Sequence, residues 1–393
     1  MTPRILFWVQ HLVGVGHQRR AAAVARALAR AGAEVCYLSG GLPLADLDLA
    51  GCAFEQLPPA RSLDMRYHTL VDAHGRVVDA AWRARRRDAL LACFAAWRPH
   101  AVITETWPFG RGLLRFELEP LMAAAARARP RPLLISSVRD IVEQRGEPAK
   151  YARMAERVQR HFDLVLVHAD PALVPFEDSF PPAAQIAARL RYTGYVSTRA
   201  PLAVRALRRD GPVVISAGGG FFGEQALRTA IEAAALCELA PRPWLVLAGP
   251  NLAQARFDAL ARSAGPGVQV QRNRADFHRL LDECAVSVSQ AGYNTVVDVL
   301  AARVPAVLVP YADEREREQL VRARQLAARG VVEVVEPAAL SPARVAAAVA
   351  QVVRGEGMPA MTLDLDGARA SARIVLEALQ GRAGAADAGG ETR

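Results

Sequence analysis

Short apolar runs alternate with Ala/Leu/Arg stretches from end to end of this chain, and that alternation narrows its possible folds more than any other feature. The first series of apolar runs lies at 4–9, 34–38, 101–104, 132–136, 164–168 and 191–194. A second series starts at 212–216 and continues through 244–248, 268–271, 286–289, 306–309 and 331–335. Continuous apolar runs suit strands that are buried on both faces, as in a parallel sheet. Strands separated by helical stretches imply βαβ units with right-handed crossovers. The expected fold class is therefore α/β, with two doubly wound Rossmann-like domains.

The break between the series falls at STRAPLAVRALRRD, which places a linker at 197–211. A first domain is expected over 1–196 and a second over 212–362, with a C-terminal helix at 363–381 and a disordered tail at 382–393. With 393 residues the chain exceeds what one core organises, and 52% hydrophobic residues exclude a disordered polymer. No stretch approaches the ~18 apolar residues of a spanning helix, and the N-terminus opens on a strand-like run rather than a signal-peptide pattern. A cytoplasmic location is expected. Cys36, Cys52, Cys93, Cys237 and Cys284 are scattered singly, which suits buried free thiols rather than a disulfide framework.

The net charge of +9 raises the question of nucleic acid. Lys150 is the sole lysine, so 48 of the 49 basic residues are arginine, mixed with alanine and acids as on solvated helix faces. No nucleic-acid partner is expected. The densest cluster, RARRR at 83–87, suits either a solvated helix face or a contact with acidic lipid headgroups.

Four strand-to-helix turns carry the chemistry. Residues 10–20 read QHLVGVGHQRR. Gly14 and Gly16 start like a dinucleotide fingerprint, but the third glycine is missing and no acid ends the second run, so that fingerprint fails. What remains is a tight turn with His17 at a helix N-terminus, near Arg20. A histidine there serves as a general base near neutral pH or as a capping group. Residues 216–223 read SAGGGFFG; Gly218, Gly219 and Gly220 let backbone approach a phosphate closely, and no P-loop Lys-Ser/Thr follows. Residues 289–298 read SQAGYNTVVD. Asp298 lies one helical turn after Asn294, placed either to accept from a ribose diol or to compensate the helix dipole. Residues 310–319 read PYADEREREQ, whose polar groups suit sugar hydroxyls. TETWPFGR at 104–111 ends a first-domain strand, so Glu105 binds an acceptor, assists His17, or pairs with Arg111. The acid pairs Asp46/Asp48 and Asp364/Asp366 are expected outside the cleft loops, and no metal site is expected.

The stretch SQAGYNTVVDVLAARVPAVLVPY followed by EQ resembles the donor domain of GT-B glycosyltransferases. Within them the chain is similar to the lipid II-forming N-acetylglucosaminyltransferases and to an uncharacterised bacterial group of predicted glycosyltransferases. This resemblance implies a GT-B fold with an interdomain cleft, and it extends to three turns, Gly14–His17, Gly218–Gly220 and Ser289–Asp298. It implies a nucleotide-sugar donor, in the first instance a UDP-sugar, as substrate and no bound cofactor. Gly218–Gly220, Ser289, Gln290, Gly292, Asn294 and Thr295 would form the donor site, with Asp298 on the ribose and Glu318 and Gln319 on the sugar. His17 and Glu105 would be catalytic, on an acceptor-side loop with Gly14, Gly16 and Arg20. The acceptor would be a small molecule or lipid-linked sugar, met by a peripheral contact at the inner membrane face. The resemblance also suggests metal-independent transfer with inversion. The Gly-x-Gly-His-x-x-Arg loop is similar as well to a family of UDP-sugar hydrolases, which leaves water as an alternative to an acceptor; epimerisation or binding without turnover are further alternatives.

Overall fold

The structure is a computed structural model that describes residues 2–63, 68–142, 147–200, 202, 205–217, 223–239, 242–249, 252–274, 276–313 and 316–388. Two parallel sheets organise it. The first has seven strands: β1 (Arg4–Val9), β2 (Glu34–Ser39), β3 (Ala53–Gln56), β6 (Ala101–Glu105), β7 (Leu133–Arg139), β8 (Leu164–His168) and β9 (Leu190–Tyr192), in the order β3-β2-β1-β6-β7-β8-β9. A small hairpin, β4 (Ala60–Ser62) with β5 (Leu70–Asp72), stands apart. The helices of this half are α1 (Gly16–Arg30), α2 (Ala80–Trp97), α3 (Arg115–Arg127) and α4 (Pro148–His161).

The second sheet has six strands: β10 (Val213–Ser216), β11 (Trp244–Ala248), β12 (Val268–Arg272), β13 (Val286–Ser289), β14 (Ala306–Leu308) and β15 (Glu333–Val334), in the order β12-β11-β10-β13-β14-β15. Its helices are α5 (Gly223–Ala234), α6 (Gln254–Ser263), α7 (Phe277–Glu283), α8 (Tyr293–Ala302), α9 (Glu318–Ala328) and α10 (Pro342–Arg354), and α11 (Gly367–Ala388) closes the chain. In each sheet the strand order reverses beside the first strand, at β1/β6 and at β10/β13. Ligands of doubly wound sheets bind outside the strand ends at such switch points. The turns after β1, β6 and β13 therefore converge on one cleft.

The expected strands are present, with instructive differences. β7 continues to Arg139, past the apolar run that ends at residue 136. Its serines find partners inside the sheet: Ser136 Oγ donates to the Trp107 carbonyl at 2.7 Å, and Ser137 Oγ lies 2.8 Å from His168 Nε2. Hydrogen-bonded polar groups of this kind can be buried, and they carry Arg139 and Asp140 to the cleft. β3 is an exposed edge strand and the hairpin strands are three residues each, too short and too mixed for a periodic signal. The expected disordered tail starts too early: α11 runs on to Ala388, because the alanine-rich RAGAADA stretch favours helix. Arg382 on it donates to Asp163 at 2.6 Å.

α11 does not stay with the second domain. After Val196 pairs with Asp366 in an isolated bridge, the helix packs on α1 through Ala372 and Val375, both buried in the first domain's core. The linker is tied to the second domain: Arg199 grips Asp282 at 2.8 and 3.0 Å, and Leu202 N donates to the Ala301 carbonyl at 2.9 Å.

Between the domains lies a buried ionic lattice. Arg322 on α9 makes two 2.6 Å bonds to Asp140 of the first domain, with neither side chain exposed. It also donates to Glu318 at 2.7 Å and to the Ala291 carbonyl at 2.8 Å. Arg139 reaches across to Glu318 at 2.6 Å. Removing one member of a buried pair strands the other charge at a cost of about 3–5 kcal/mol. Asp140→Ala is accordingly expected to lower unfolding stability by about that amount, and Arg322→Leu added to it to recover part of the loss; urea unfolding of the wild type and the two variants checks both expectations.

Candidate functional site

The interdomain cleft encloses about 1000 Å³, in the size range of small-molecule sites. First-domain residues Gly14, Gly16, His17, Arg20, Trp107 and Arg111 line one wall. Gln290, Gly292, Asn294, Thr295, Asp298 and Gln319 line the other.

The first wall is built by β1 and β6 delivering two loops side by side. α1 begins at Gly16 with Val15 as its cap and no capping side chain. Gly16 sits at a close approach: a Cβ there would lie 2.8 Å from Asn294 Nδ2 of the other domain and would displace that amide, which donates to the Gly16 carbonyl at 3.3 Å. His17 Nδ1 lies 2.7 Å from Glu105 Oε1, at the end of β6. An ionised carboxylate only accepts, so Nδ1 carries the proton and Nε2 keeps a lone pair. Arg20 donates to the same oxygen, Thr106 Oγ1 donates to it at 2.8 Å, and Arg111 reaches Oε2 at 3.4 Å. Glu105 is fully buried. Its oxygens face these four residues rather than an incoming acceptor.

Burial works against an ionised Glu105, but His17, Arg20 and Arg111 together hold its carboxyl well below the usual range. Burial likewise lowers His17 to about 3, outweighing the upward pull of Glu105. His17 is therefore neutral at neutral pH, the form a base requires. Behind it, the Arg20 guanidinium lies 5.2 Å from the Tyr293 ring centroid across the domain boundary. Arg322 lies 5.8 Å from the same ring. Tyr293 Oη donates to the His168 carbonyl at 2.8 Å and accepts from Val196 N at 3.2 Å.

The second wall is the start of α8, capped only by Gly292 and lacking a side-chain cap. Its first-turn N–H groups therefore have no capping side chain, the situation of helix N-termini that meet anions. Asp298, on the next turn, is 17% exposed and receives His278 Nε2 at 3.1 Å on Oδ1. Glu318 is nearly buried, with Arg139 on Oε2 and Arg322 on Oε1. Burial opposes its charge, and the two arginines override it and pull its pKa down to about 2. Gln319 Oε1 accepts from Tyr311 N at 3.1 Å. Ser289 is buried and does not line the cleft, its Oγ 2.8 Å from that of Ser287. Gly218, Gly219 and Gly220 lie outside the described residues.

Asp46 and Asp48, expected away from the cleft, stand on its rim, because Arg19 and Arg26 of α1 hold their carboxylates there. The sequence reading passed over Arg139, Asp140, Arg322 and His278. Only the Glu318–Arg322 pair had a local signal, its i,i+4 spacing on a helix. Among the described residues no cluster of three or more His, Cys, Asp or Glu side chains is placed to hold a metal ion, and no helix is long and apolar enough to cross a membrane.

The fold is that of the GT-B glycosyltransferases. Residues 243–364 match the glycosyltransferase family 28 C-terminal domain. An uncharacterized glycosyltransferase of Methanopyrus kandleri is 27% identical over 164 residues, 42% of this chain and 44% of that protein. The UDP-N-acetylglucosamine–N-acetylmuramyl-(pentapeptide) pyrophosphoryl-undecaprenol N-acetylglucosamine transferase of Ralstonia nicotianae is 28% identical over 196 residues, 48% of this chain and 52% of that one. The chain thus spans about half the length of the curated relatives it matches. Among solved structures, the kitacinnamycin glycosyltransferase superposes with a TM-score of 0.63 at 16% identity over 97% of this chain and 98% of that one. MurG of Acinetobacter baumannii gives 0.59 at 18% identity, over 96% of this chain and 100% of that one.

Three cleft and core histidines are expected to make stability pH-dependent. Burial lowers His17 and His168 to about 3 and His11 to about 4. Their unfolded value is near 6.5, so below it the unfolded chain binds more protons than the folded one. Stability is expected to be full above pH 6.5 and to be lost as pH falls towards 4, by up to about 1.4 kcal/mol per pH unit per histidine. Urea midpoints between pH 7.5 and about 4.5 check this, and a flat profile refutes it.

Proposed function

We propose that this chain is a glycosyltransferase that moves a sugar from a nucleotide-sugar donor, a UDP-sugar, to an acceptor held against the first domain. The observation that carries the reading is the His17–Glu105 pair, set at one switch point and facing the open N-terminus of α8 at the other. His17 Nε2 takes the proton of an acceptor hydroxyl or amine. The acceptor atom then attacks the anomeric carbon, the bond to the diphosphate breaks, and the nucleoside diphosphate leaves. Glu105, ionised and bonded to Nδ1, stabilises the imidazolium as it forms. The charge on the departing diphosphate is met by the first-turn N–H groups of α8 and by cleft arginines. A single displacement of this kind inverts the sugar carbon, needs no divalent cation and uses no cofactor beyond the donor.

Asp298 is assigned to the ribose hydroxyls and Gln319 to the donor sugar. The two arginines on Glu318 give that residue a bracing part between the domains alongside any contact with sugar. The names of the relatives make UDP-N-acetylglucosamine the first donor to test, and a diphosphate-linked lipid sugar the first acceptor. A peripheral contact with a cytoplasmic membrane face fits Leu63 and Val77, exposed around the β4–β5 hairpin with Arg76.

Purified protein incubated with a UDP-sugar panel is expected to release UDP only when acceptor is present, with or without chelator. Release without acceptor would mean hydrolysis. His17→Ala is expected to lower kcat by roughly 10²–10⁴-fold while donor affinity holds; Glu105→Gln, which keeps the shape but not the charge, should also lower it. A base whose pKa is lowered to about 3 keeps its lone pair well into acid. The acid limb of kcat/KM from His17 is therefore expected below about pH 5, not near 6.5.

A further inference from the structure

The second domain presents a histidine–carboxylate pair of its own. His278 sits on α7 and Asp298 on α8, twenty residues apart in sequence, and both line the cleft. His278 Nε2 lies 3.1 Å from Asp298 Oδ1. The carboxylate only accepts, so Nε2 carries the proton and donates it. The Asp298 carboxylate has no other hydrogen-bond partner among the described residues, which leaves Oδ2 for a ligand.

We propose that His278 is the positioning residue that aims Asp298 at the donor's ribose hydroxyls, and that the pair makes the site select ribonucleotide over deoxyribonucleotide donors. This rests on the donor assignment made above for Asp298. An aspartate on a helix turns freely about two torsions, and a hydrogen bond to one oxygen fixes the plane in which the other accepts. The bond is charge-assisted and therefore stronger than a neutral one.

The histidine is itself firmly held. Arg199 of the linker donates to the His278 carbonyl at 3.2 Å and grips Asp282 on the same helix at 2.8 and 3.0 Å. Leu280 and Leu281 of α7 are buried with Val297 and Leu300 of α8 in one cluster. The backbone of α7 is thus fixed relative to α8, and only the imidazole tip is free to meet the carboxylate. A site supported in this way by a neighbouring rigid element holds its geometry without the ligand. A vicinal diol offers two donors to one carboxylate. A donor that lacks those hydroxyls leaves Oδ2 without its partner, and an unpaired polar group in a cleft loses affinity.

The test is calorimetric titration with UDP and with 2′,3′-dideoxy-UDP, joined to steady-state kinetics with the UDP-sugar. Wild type is expected to bind UDP roughly tenfold or more tightly than the dideoxy nucleotide. His278→Ala is expected to weaken UDP roughly tenfold, leave the dideoxy nucleotide unchanged, and raise the donor KM with kcat nearly constant. His278→Gln, whose amide nitrogen reaches the position of Nε2, should restore both the ratio and the KM. His278→Ala and Asp298→Ala should not add, since each removes the same contact.

Unchanged UDP affinity and an unchanged ratio in His278→Ala would overturn the inference. So would a wild type that binds UDP and the dideoxy nucleotide equally. A loss of equal size for both nucleotides, not rescued by glutamine, would mean that His278 only holds α7 in place, and would overturn it too. A wild type that binds no uridine nucleotide would overturn the donor assignment itself and the inference with it.

Discussion

Tyr293 stands between two guanidinium groups that belong to different halves of the molecule, and much of the cleft depends on that contact. Arg20 approaches its ring from the first domain and Arg322 from the second. A cation over an aromatic face is worth about 0.5–2 kcal/mol, more when water is excluded. Here it does more than add stability. Arg20 is buried, and its Nε has no hydrogen-bond partner among the described residues. The ring face takes the place of water beside a charge whose other role is to keep Glu105 ionised. Asp140 does the same for Arg322 with two short bonds. The electrostatics of the first-domain dyad are therefore completed by residues of the second domain.

This arrangement explains why the loop carrying His17 has the sequence it has. Gly14 and Gly16 resemble a phosphate-binding turn. In the structure Gly16 serves a close approach of the two domains, with the Asn294 amide on its carbonyl. The helix that follows brings His17 and Arg20 to one carboxylate from successive turns. A short loop thus serves chemistry on one side and domain contact on the other.

The fold was largely legible in the sequence, because buried parallel strands leave continuous apolar runs and each restart marks a domain. What escaped was short, polar or exposed: β3 on the sheet edge, the β4–β5 hairpin, and the last residues of β7, whose serines are buried by partners invisible to a hydropathy pattern. The candidate site was legible where its side chains follow a strand, as with His17 and Asp298 on the cleft wall and Glu105 bonded to His17. It was not legible where a residue acts through a contact far along the chain. Asp140 and Arg322 are separated by 182 positions, and His278 reads as an ordinary helix residue until α8 is packed beside it. Asn294 and Glu318 show the converse. Their types suit a ligand, yet their side chains are also engaged in joining the domains.

The return of α11 to the first domain has a consequence for motion. The chain passes from the first domain to the second near Val196 and comes back near Asp366, and these two passages lie against each other in an antiparallel bridge. Tyr195 N donates to the Asp364 carbonyl, and Gly367 N to that of Tyr195. Two pins set side by side define a single axis. Opening of the cleft is then a swing about that line, and sliding or twisting of one domain over the other would have to shear both passages at once. Because Ala372 and Val375 bury the returning helix on α1, the first domain includes both ends of the described chain, and a cut at the linker would not release it whole.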